Sequence, residues 1–428
     1  MTTHVTAAPL TTLVSPLGLV SRVQPLQKLR GLDRLEIYST EGGSGRPGES
    51  APDAEGSGSG RVLGDADLSR TIAIAEGAER YAGTNLHHEP VWAKATELDG
   101  PVLDTSRLPR CSERELADSR CRVRPFSDEA RIRWVRGVDL IGGNEVWVPA
   151  ALACYGLRGT PDERFGPGIS TGFSIHTDMT RSVLGGVHEI LERDSIALTW
   201  LQRLPLPPLA DEVVTDDARQ LIDWSRRRFI DTYLYDATSD IGVPTVFVLQ
   251  SAPHDDQVRM IIGAGNGRSY GEAVDRAMLE TLTTRGLFYG DDQPRDDYAE
   301  FHSVVDGARF MSRPERAGAF AFLLDGLAER TPSAWAPELP EDPERQLAAI
   351  LSRLADAGMQ AVAVDLTSSE MRGVGLSAVA VVIPDLQPMS LNPLANFRAH
   401  PRLSTALARM GHACPTEEEQ NPWPVPFA

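Results

Sequence analysis

The sequence predicts a mixed α/β chain, an α+β arrangement of several helices and strands, not a repeat protein. Two observations carry this. Stretches with apolar residues three and four apart interleave with short runs rich in β-branched and apolar residues. Composition agrees: 428 residues, 41% hydrophobic and 24% charged, is ordinary globular usage and enough chain for two or three packed subdomains.

Taken in order, residues 32–38 read as a strand, and residues 41–60, rich in Gly, Ser, Pro and Glu, cannot bury apolar surface and read as a mobile loop. A helix then begins near Asp67 or Ser69, either of which can cap it, and runs through Ile72, Ala75 and Glu79, so that Glu79 continues a stripe begun by Ile72. Residues 133–155 hold two strand-like runs, and a Gly/Pro-rich turn follows at 165–172. The spacing of Val183, Val187, Ile190, Leu191 and Leu198 predicts a second long helix over 180–200, on which Gly185 and Gly186 leave a small flank for close approach. Strands are expected at 245–249 and 260–263, a helix over 272–284, a helix over 344–357, and strands at 360–364 and 376–382. The last residues, Pro422-Trp-Pro424-Val-Pro426-Phe-Ala428, must be extended, because alternate prolines cannot form helix.

The charge balance narrows the function. A net charge of -18 argues against general nucleic-acid or acidic-membrane binding, since phosphate surfaces demand a basic face. No apolar run of about 18 residues suits a membrane span, and the N-terminus does not read as a signal peptide. Cys111, Cys121, Cys154 and Cys414 lack C-x-x-C spacing, so they read as buried thiols of a reducing, cytoplasmic compartment rather than a zinc site or a disulfide framework.

One short acidic word occurs twice on predicted helices: Glu76-x-x-Glu79-Arg80 and Glu189-x-x-Glu192-Arg193. On a helix each copy sets two carboxylates and a guanidinium side by side. Singly, such a word is most often a solvated face whose ion pairs contribute about 0.3–0.5 kcal/mol each. A third helix carries Arg276 and Glu280 at i,i+4. Three helices with this pairing match what a magnesium nucleotide needs, carboxylates for the metal and arginines for the phosphates. Two rival motifs are weaker. Gly168-Ile-Ser170-Thr-Gly172 fits a nucleophile elbow, with His176 or His188 as conceivable bases, but it follows turn chemistry where an elbow needs a strand. Gly263-Ala-Gly265-Asn-Gly267 lacks both dinucleotide and P-loop spacing and reads as a turn between strand and helix.

Together, Ala73-Ile-Ala-Glu76-Gly-Ala-Glu79-Arg80-Tyr81, His188-Glu189-Ile-Leu-Glu192-Arg193-Asp194, residues 236–244, Arg276 to Glu280 and Val381-Val-Ile-Pro-Asp-Leu-Gln-Pro388 resemble the YcaO family in wording and order. The resemblance implies a YcaO-like fold around a central ATP site. It divides the chain into residues 1–66, a core over 67–410 and an extended tail over 411–428. It further implies that Glu76, Glu79, Glu189, Glu192 and Glu280 bind magnesium and that Arg80, Arg193 and Arg276, with these carboxylates, hold ATP. The P-x-P-x-P ending is similar to that of azoline-forming members, whose C-terminus lies close to the active site, which places Pro426 and Ala428 there.

The activity so implied is ATP-dependent cyclodehydration of Cys, Ser or Thr in a ribosomally made precursor peptide, giving thiazoline or oxazoline. A separate leader-peptide-binding partner protein is expected, because the family-like sequence starts almost at once. A dehydrogenase partner and a homodimer are compatible with the resemblance. The chain departs from the family at Ala73, where a serine is usual, and at Arg181 and Gly185, where Glu and Gln are usual; Asp178 is a candidate replacement carboxylate. These departures motivate the alternatives of a weakly catalytic or inactive scaffold subunit, or a thioamide- or amidine-forming enzyme.

Overall fold

The computed structural model describes residues 10–43, 57–157, 159–290, 295–301, 303–333, 338–390 and 392–427. Its strands, in chain order, are β1 Val20–Pro25, β2 Leu35–Gly42, β3 Ser59–Leu63, β4 Val91–Ala93, β5 Ile132–Asp139, β6 Glu145–Pro149, β7 Phe173–His176, β8 Asp231–Asp236, β9 Thr245–Ser251, β10 Met260–Asn266, β11 Val362–Asp365 and β12 Ser377–Val382. Six helices matter below: α1 Ala66–Thr84, α2 Met179–Gln202, α3 Asp216–Arg226, α4 Tyr270–Phe288, α5 Pro343–Asp356 and α6 Arg402–Met410. Every pairing between named strands is antiparallel, so the mixed prediction resolves to its α+β form.

The chain forms two units. The first draws on Met1–Leu108, Arg124–Val187 and Leu354–Pro384, the second on Pro109–Val123, His188–Arg353 and Asp385–Ala428. Helix α2 passes from one to the other between Val187 and His188.

In the first unit a sheet of order β1-β2-β3 accompanies a larger one of order β4-β5-β11-β12-β7, with β6 also paired to β5. Its core joins Ile74 and Ala78 of α1 to Trp134, Phe165 and Phe173. Helix α1 starts earlier than expected, because Asp65 supplies the cap by accepting from the Leu68 amide. Ser69 is instead buried, donating to the carbonyls of Glu36 or Gly60. The expected stripe through Ile72 is also displaced: Ile72 is 39% exposed, while Ser69, Ala73, Gly77 and Ala78 face inward. Small residues let β2 and β3 lie close against α1, and the large aliphatic side chain stays outside.

In the second unit the sheet runs β10-β9-β8. The glycine-rich segment is not a turn. Gly263 and Gly265 sit inside β10, where an added Cβ would meet Thr281 Oγ1 at 2.2 Å and the Ala273 carbonyl oxygen at 2.5 Å, so α4 lies directly on the strand. In the first unit, likewise, a Cβ on Gly185 would meet Ser174 Oγ at 2.4 Å and one on Gly186 the Gly172 carbonyl oxygen at 2.6 Å, which is the close approach the sequence anticipated.

All four cysteines are free, but only Cys154 is buried and Cys414 is exposed, against the expectation of buried thiols throughout. Of the loop expected over 41–60, Glu41, Gly42, Ser59 and Gly60 belong to strands, and 44–56 lie outside the described residues. Among the described residues no helix is long and apolar enough to cross a membrane.

Candidate active site

Both copies of the acidic word are helical, and each is built differently. On α1, Glu76 takes the Ser59 amide on Oε2 at 2.9 Å and Arg80 Nη2 on Oε1 at 2.8 Å, whereas Glu79 stands 3.9 Å from Arg80. The Arg80 carbonyl accepts from the Tyr155 hydroxyl, fixing the end of that turn. Ala73, where the resemblance implies a serine, is fully buried and its carbonyl accepts from Thr40 Oγ1.

On α2 the pairing is inverted. Arg193 Nη1 lies 2.6 Å from Glu192 Oε1 and its Nη2 3.6 Å from Glu189 Oε1. Glu192 Oε2 accepts from the Asn266 amide at 3.0 Å, and the Asn266 carbonyl accepts from Arg276 Nη1 at 2.8 Å. Glu280 Oε2 accepts from the Ala264 amide at 3.2 Å. The end of β10 thus gathers Glu192, Arg276 and Glu280 through its backbone, and Arg193 is stacked 4.4 Å over the Phe427 ring. Helices α2 and α4 and the end of β10 hold Glu189, Glu192, Arg193, Arg276 and Glu280 within the second unit, with carboxylates and guanidinium ions adjacent, whereas Glu76, Glu79 and Arg80 belong to the first.

Asn266 is further held by His188, buried and next to Glu189. The Asn266 amide nitrogen donates to the His188 carbonyl at 2.8 Å, and its Oδ1 lies 2.7 Å from His188 Nδ1. Gln346 of α5 lies 2.9 Å from His188 Nε2. An amide NH2 can only donate, so with Gln346 oriented this way Nε2 accepts and Nδ1 carries the proton to Asn266. Burial first, and then the Arg276 charge, push the His188 pKa down to about 4, so the ring is neutral near pH 7.

Behind this, Asp194 is fully buried and paired to Arg402 of α6 at 2.7 Å; Arg402 also reaches Asp240 at 2.6 Å. Burial alone would lower the Arg402 pKa, but the two carboxylates outweigh it and raise it. The tail runs extended and pinned: the Asn421 amide donates to the Leu201 carbonyl, Arg398 donates to the Asn421 carbonyl, and Trp200 Nε1 donates to the Trp423 carbonyl. Pro426 is buried beside Phe427; Ala428 lies outside the described residues.

A family model described as YcaO cyclodehydratase, ATP- and Mg2+-binding, matches residues 60–387. The chain belongs to the YcaO family. ATP and magnesium are therefore its cofactors. YcaO folds recur among solved structures: a heterocyclase in complex with substrate and cofactor is 20% identical, covering 98% of this chain and 57% of that one, at a TM-score of 0.78. The Escherichia coli microcin synthetase McbBCD complex with pro-MccB17 bound is 16% identical, covering 95% and 96%, at 0.62. The YcaO of Methanopyrus kandleri bound with AMPPCP and Mg2+ is 18% identical, covering 85% of each chain, at 0.59. An uncharacterized protein in the tfuA 3' region of Rhizobium leguminosarum bv. trifolii is 28% identical over 151 residues, 33% of this chain and 32% of that one. The chain thus spans little more than half of the first structure and a third of the rhizobial relative.

Arg181 is exposed and Gly185 is required by Ser174, while Asp178, the candidate substitute, accepts from the Arg181 amide as the cap of α2. Three positioning residues escaped the sequence reading. Asn266 stands in a run whose glycines read as a turn, His188 reads as a conceivable elbow base and as the first residue of the second acidic segment, and Gln346 gives no signal, since nothing in a helical glutamine announces a distant partner. The elbow itself is absent here: the strand follows Ser170 at β7 instead of preceding it.

The donor chemistry suits a magnesium nucleotide. Carboxylates are hard oxygen ligands, and guanidinium forks match phosphate oxygens. Each carboxylate is already partnered by an arginine or a backbone amide, and among the described residues no group of three or more acidic, His or Cys side chains is gathered to hold a metal.

Proposed function

We propose that this chain is the catalytic subunit of an ATP-dependent peptide cyclodehydratase. It would convert Cys, Ser or Thr of a ribosomally synthesised precursor peptide to thiazoline or oxazoline. The observation that carries the reading is the inverted second copy: Arg193 and Arg276 converge through Glu192 and Asn266, beside the buried tail residue Phe427.

In this reading Glu76, Glu79, Glu189, Glu192 and Glu280 hold magnesium, and Arg80, Arg193 and Arg276 bind the phosphates. Binding would exchange partners, the carboxylates passing from arginine to metal and the arginines from carboxylate to phosphate. The nucleotide supplies a phosphoryl group that turns an amide oxygen into a leaving group. The substrate's thiol or hydroxyl would lose its proton as it adds to the preceding carbonyl carbon, that carbonyl's oxygen would take the phosphoryl group with release of ADP, and it would depart as phosphate as the amide nitrogen gives up its proton and the C=N bond forms. The protein aligns the reactants and neutralises developing charge. Pro426 and Ala428, which flank Phe427 in the sequence, would shape the reacting centre.

A leader-binding partner protein would deliver the peptide, a dehydrogenase would act on the product, and the assembly, with a homodimer among its forms, would work in the cytoplasm without nucleic acid or membrane. The test is incubation with partner, precursor peptide and ATP. Loss of one water per ring with matching phosphate release is expected; peptide binding with no turnover would overturn the reading.

A further inference from the structure

The Glu192 side of α2 continues into a second feature of the same unit. Ser195, Leu198 and Thr199 floor a cavity of about 270 Å³ and are 3%, 1% and 1% exposed. At 1.5 Å per residue, Ser195 and Thr199 lie about 4.5 and 10.5 Å along the axis from Glu192, on one side of the helix. Leu204, Leu206 and Ala237 are buried in its walls, and its mouth is marked by half-buried Met410 and exposed His412.

The floor holds an unmet demand. Ser195 Oγ is enclosed, yet it has no hydrogen-bond partner among the described residues. A hydroxyl buried in this way is costly unless something bonds it. Asp236, also on the lining, does not serve: its carboxylate takes the Tyr270 and Ser333 hydroxyls and the Thr238 amide. Among the described residues no arginine or lysine lines the cavity, which disfavours a phosphate. Its size is below the range of about 300–1,000 Å³ typical of whole-ligand sites, but larger than the apolar cavity of about 150 Å³ that accepts benzene. One ring with a polar tip fills such a space and satisfies its floor.

We propose that this cavity receives an aromatic side chain with a polar tip, tyrosine or tryptophan, from the precursor peptide. The ring would rest on Leu198, Leu204 and Leu206, with its O–H or N–H donated to Ser195 Oγ. The inference rests on the peptide-modifying reading above, and it makes the cavity a determinant of which peptides are accepted and in what register.

The test uses the full chain and p-cresol, indole and toluene as probes, titrated by calorimetry without ATP. p-Cresol and indole should bind; Ser195→Ala should weaken p-cresol about fivefold and leave toluene unchanged. Ala237→Leu, which fills the wall, should weaken all three while ATP affinity stays at its parent value. Absence of p-cresol binding, or equal binding by parent and both variants, overturns the site. In a second arm, replacing the aromatic residues of the precursor peptide by leucine should raise KM several-fold with kcat unchanged, and p-cresol should compete with the parent peptide. p-Cresol that binds without competing would identify a free small aromatic as the ligand and overturn the peptide assignment. Because the titration needs no turnover, a failed cyclodehydration assay would leave its result readable.

Discussion

The two copies of Glu-x-x-Glu-Arg share a sequence and differ in which glutamate the arginine holds. In the first, Arg80 pairs closely with Glu76 at i,i+4; in the second, Arg193 pairs closely with its neighbour Glu192. In both, the closely paired glutamate is also the one bound by a backbone amide, Ser59 in the first copy and Asn266 in the second. A strand that approaches the helix therefore selects the anchored carboxylate, and the arginine follows. The residue after the word differs too: Tyr81 is half-buried, whereas Asp194 is tied fully buried to Arg402. The second copy is bolted down from behind as well as in front.

The largest expected effect tests that bolt. Arg402→Met leaves Asp194 and Asp240 buried without their cation, and should cost about 3–5 kcal/mol in urea unfolding. A loss under about 1 kcal/mol would mean that the pair is solvated and that the two copies are anchored alike. Next, exchanging the anchored carboxylates, Glu192→Gln and Glu76→Gln, should cut ATP turnover by about a hundredfold or more with little change in unfolding midpoint. Glu189→Gln and Glu79→Gln should also disable turnover if magnesium needs these two as well. Retention of ATP hydrolysis in both of these would confine metal binding to the anchored residues and refute the wider assignment.

A smaller effect follows from His188, which has no counterpart in the first copy. Its folded pKa of about 4 lies below the unfolded value of 6.5, so its contribution to stability is complete above 6.5 and is lost as pH falls toward 4. His400, also buried and pushed down to about 4, acts in the same direction. Between roughly pH 7 and 4.5 the parent should lose more stability than His188→Asn, in which the His188 contribution is gone while that of His400 remains. Equal losses would place His188 in a solvated setting. Smallest is Phe427→Leu, which keeps the apolar volume but removes the ring under Arg193; about 0.5–1 kcal/mol, read as a several-fold rise in KM for ATP, is expected. No change would detach the tail from the second copy.

Helices and strands were legible because each carries its own periodicity. The α2 and α4 helices lie within a few residues of expectation, and the two acidic words and the Arg276/Glu280 pair fall on helices as read. What escaped depends on partners far along the chain. Glycines in β10 looked like a turn because a strand flattened under a helix and a reverse turn both favour residues without Cβ. Asp65 was passed over as the cap of α1 because Asp67 and Ser69 offer the same chemistry two and four residues later. Ile72 looked inward because periodicity gives a stripe without saying which neighbour, a strand or solvent, will meet it.

The side-chain-free face of β10 also constrains inheritance. Where Gly263 and Gly265 meet Thr281 and the backbone at Ala273, strand and helix fit as a pair matched to tenths of an ångström. A relative whose strand carries alanine at either position must hold its helix farther out. Exchanging β10 between family members without α4, or α4 without β10, would shift Arg276 and Glu280 relative to the Asn266 end of the strand. The two elements should therefore travel together in any functional chimera, a 29-residue cassette from Met260 to Phe288.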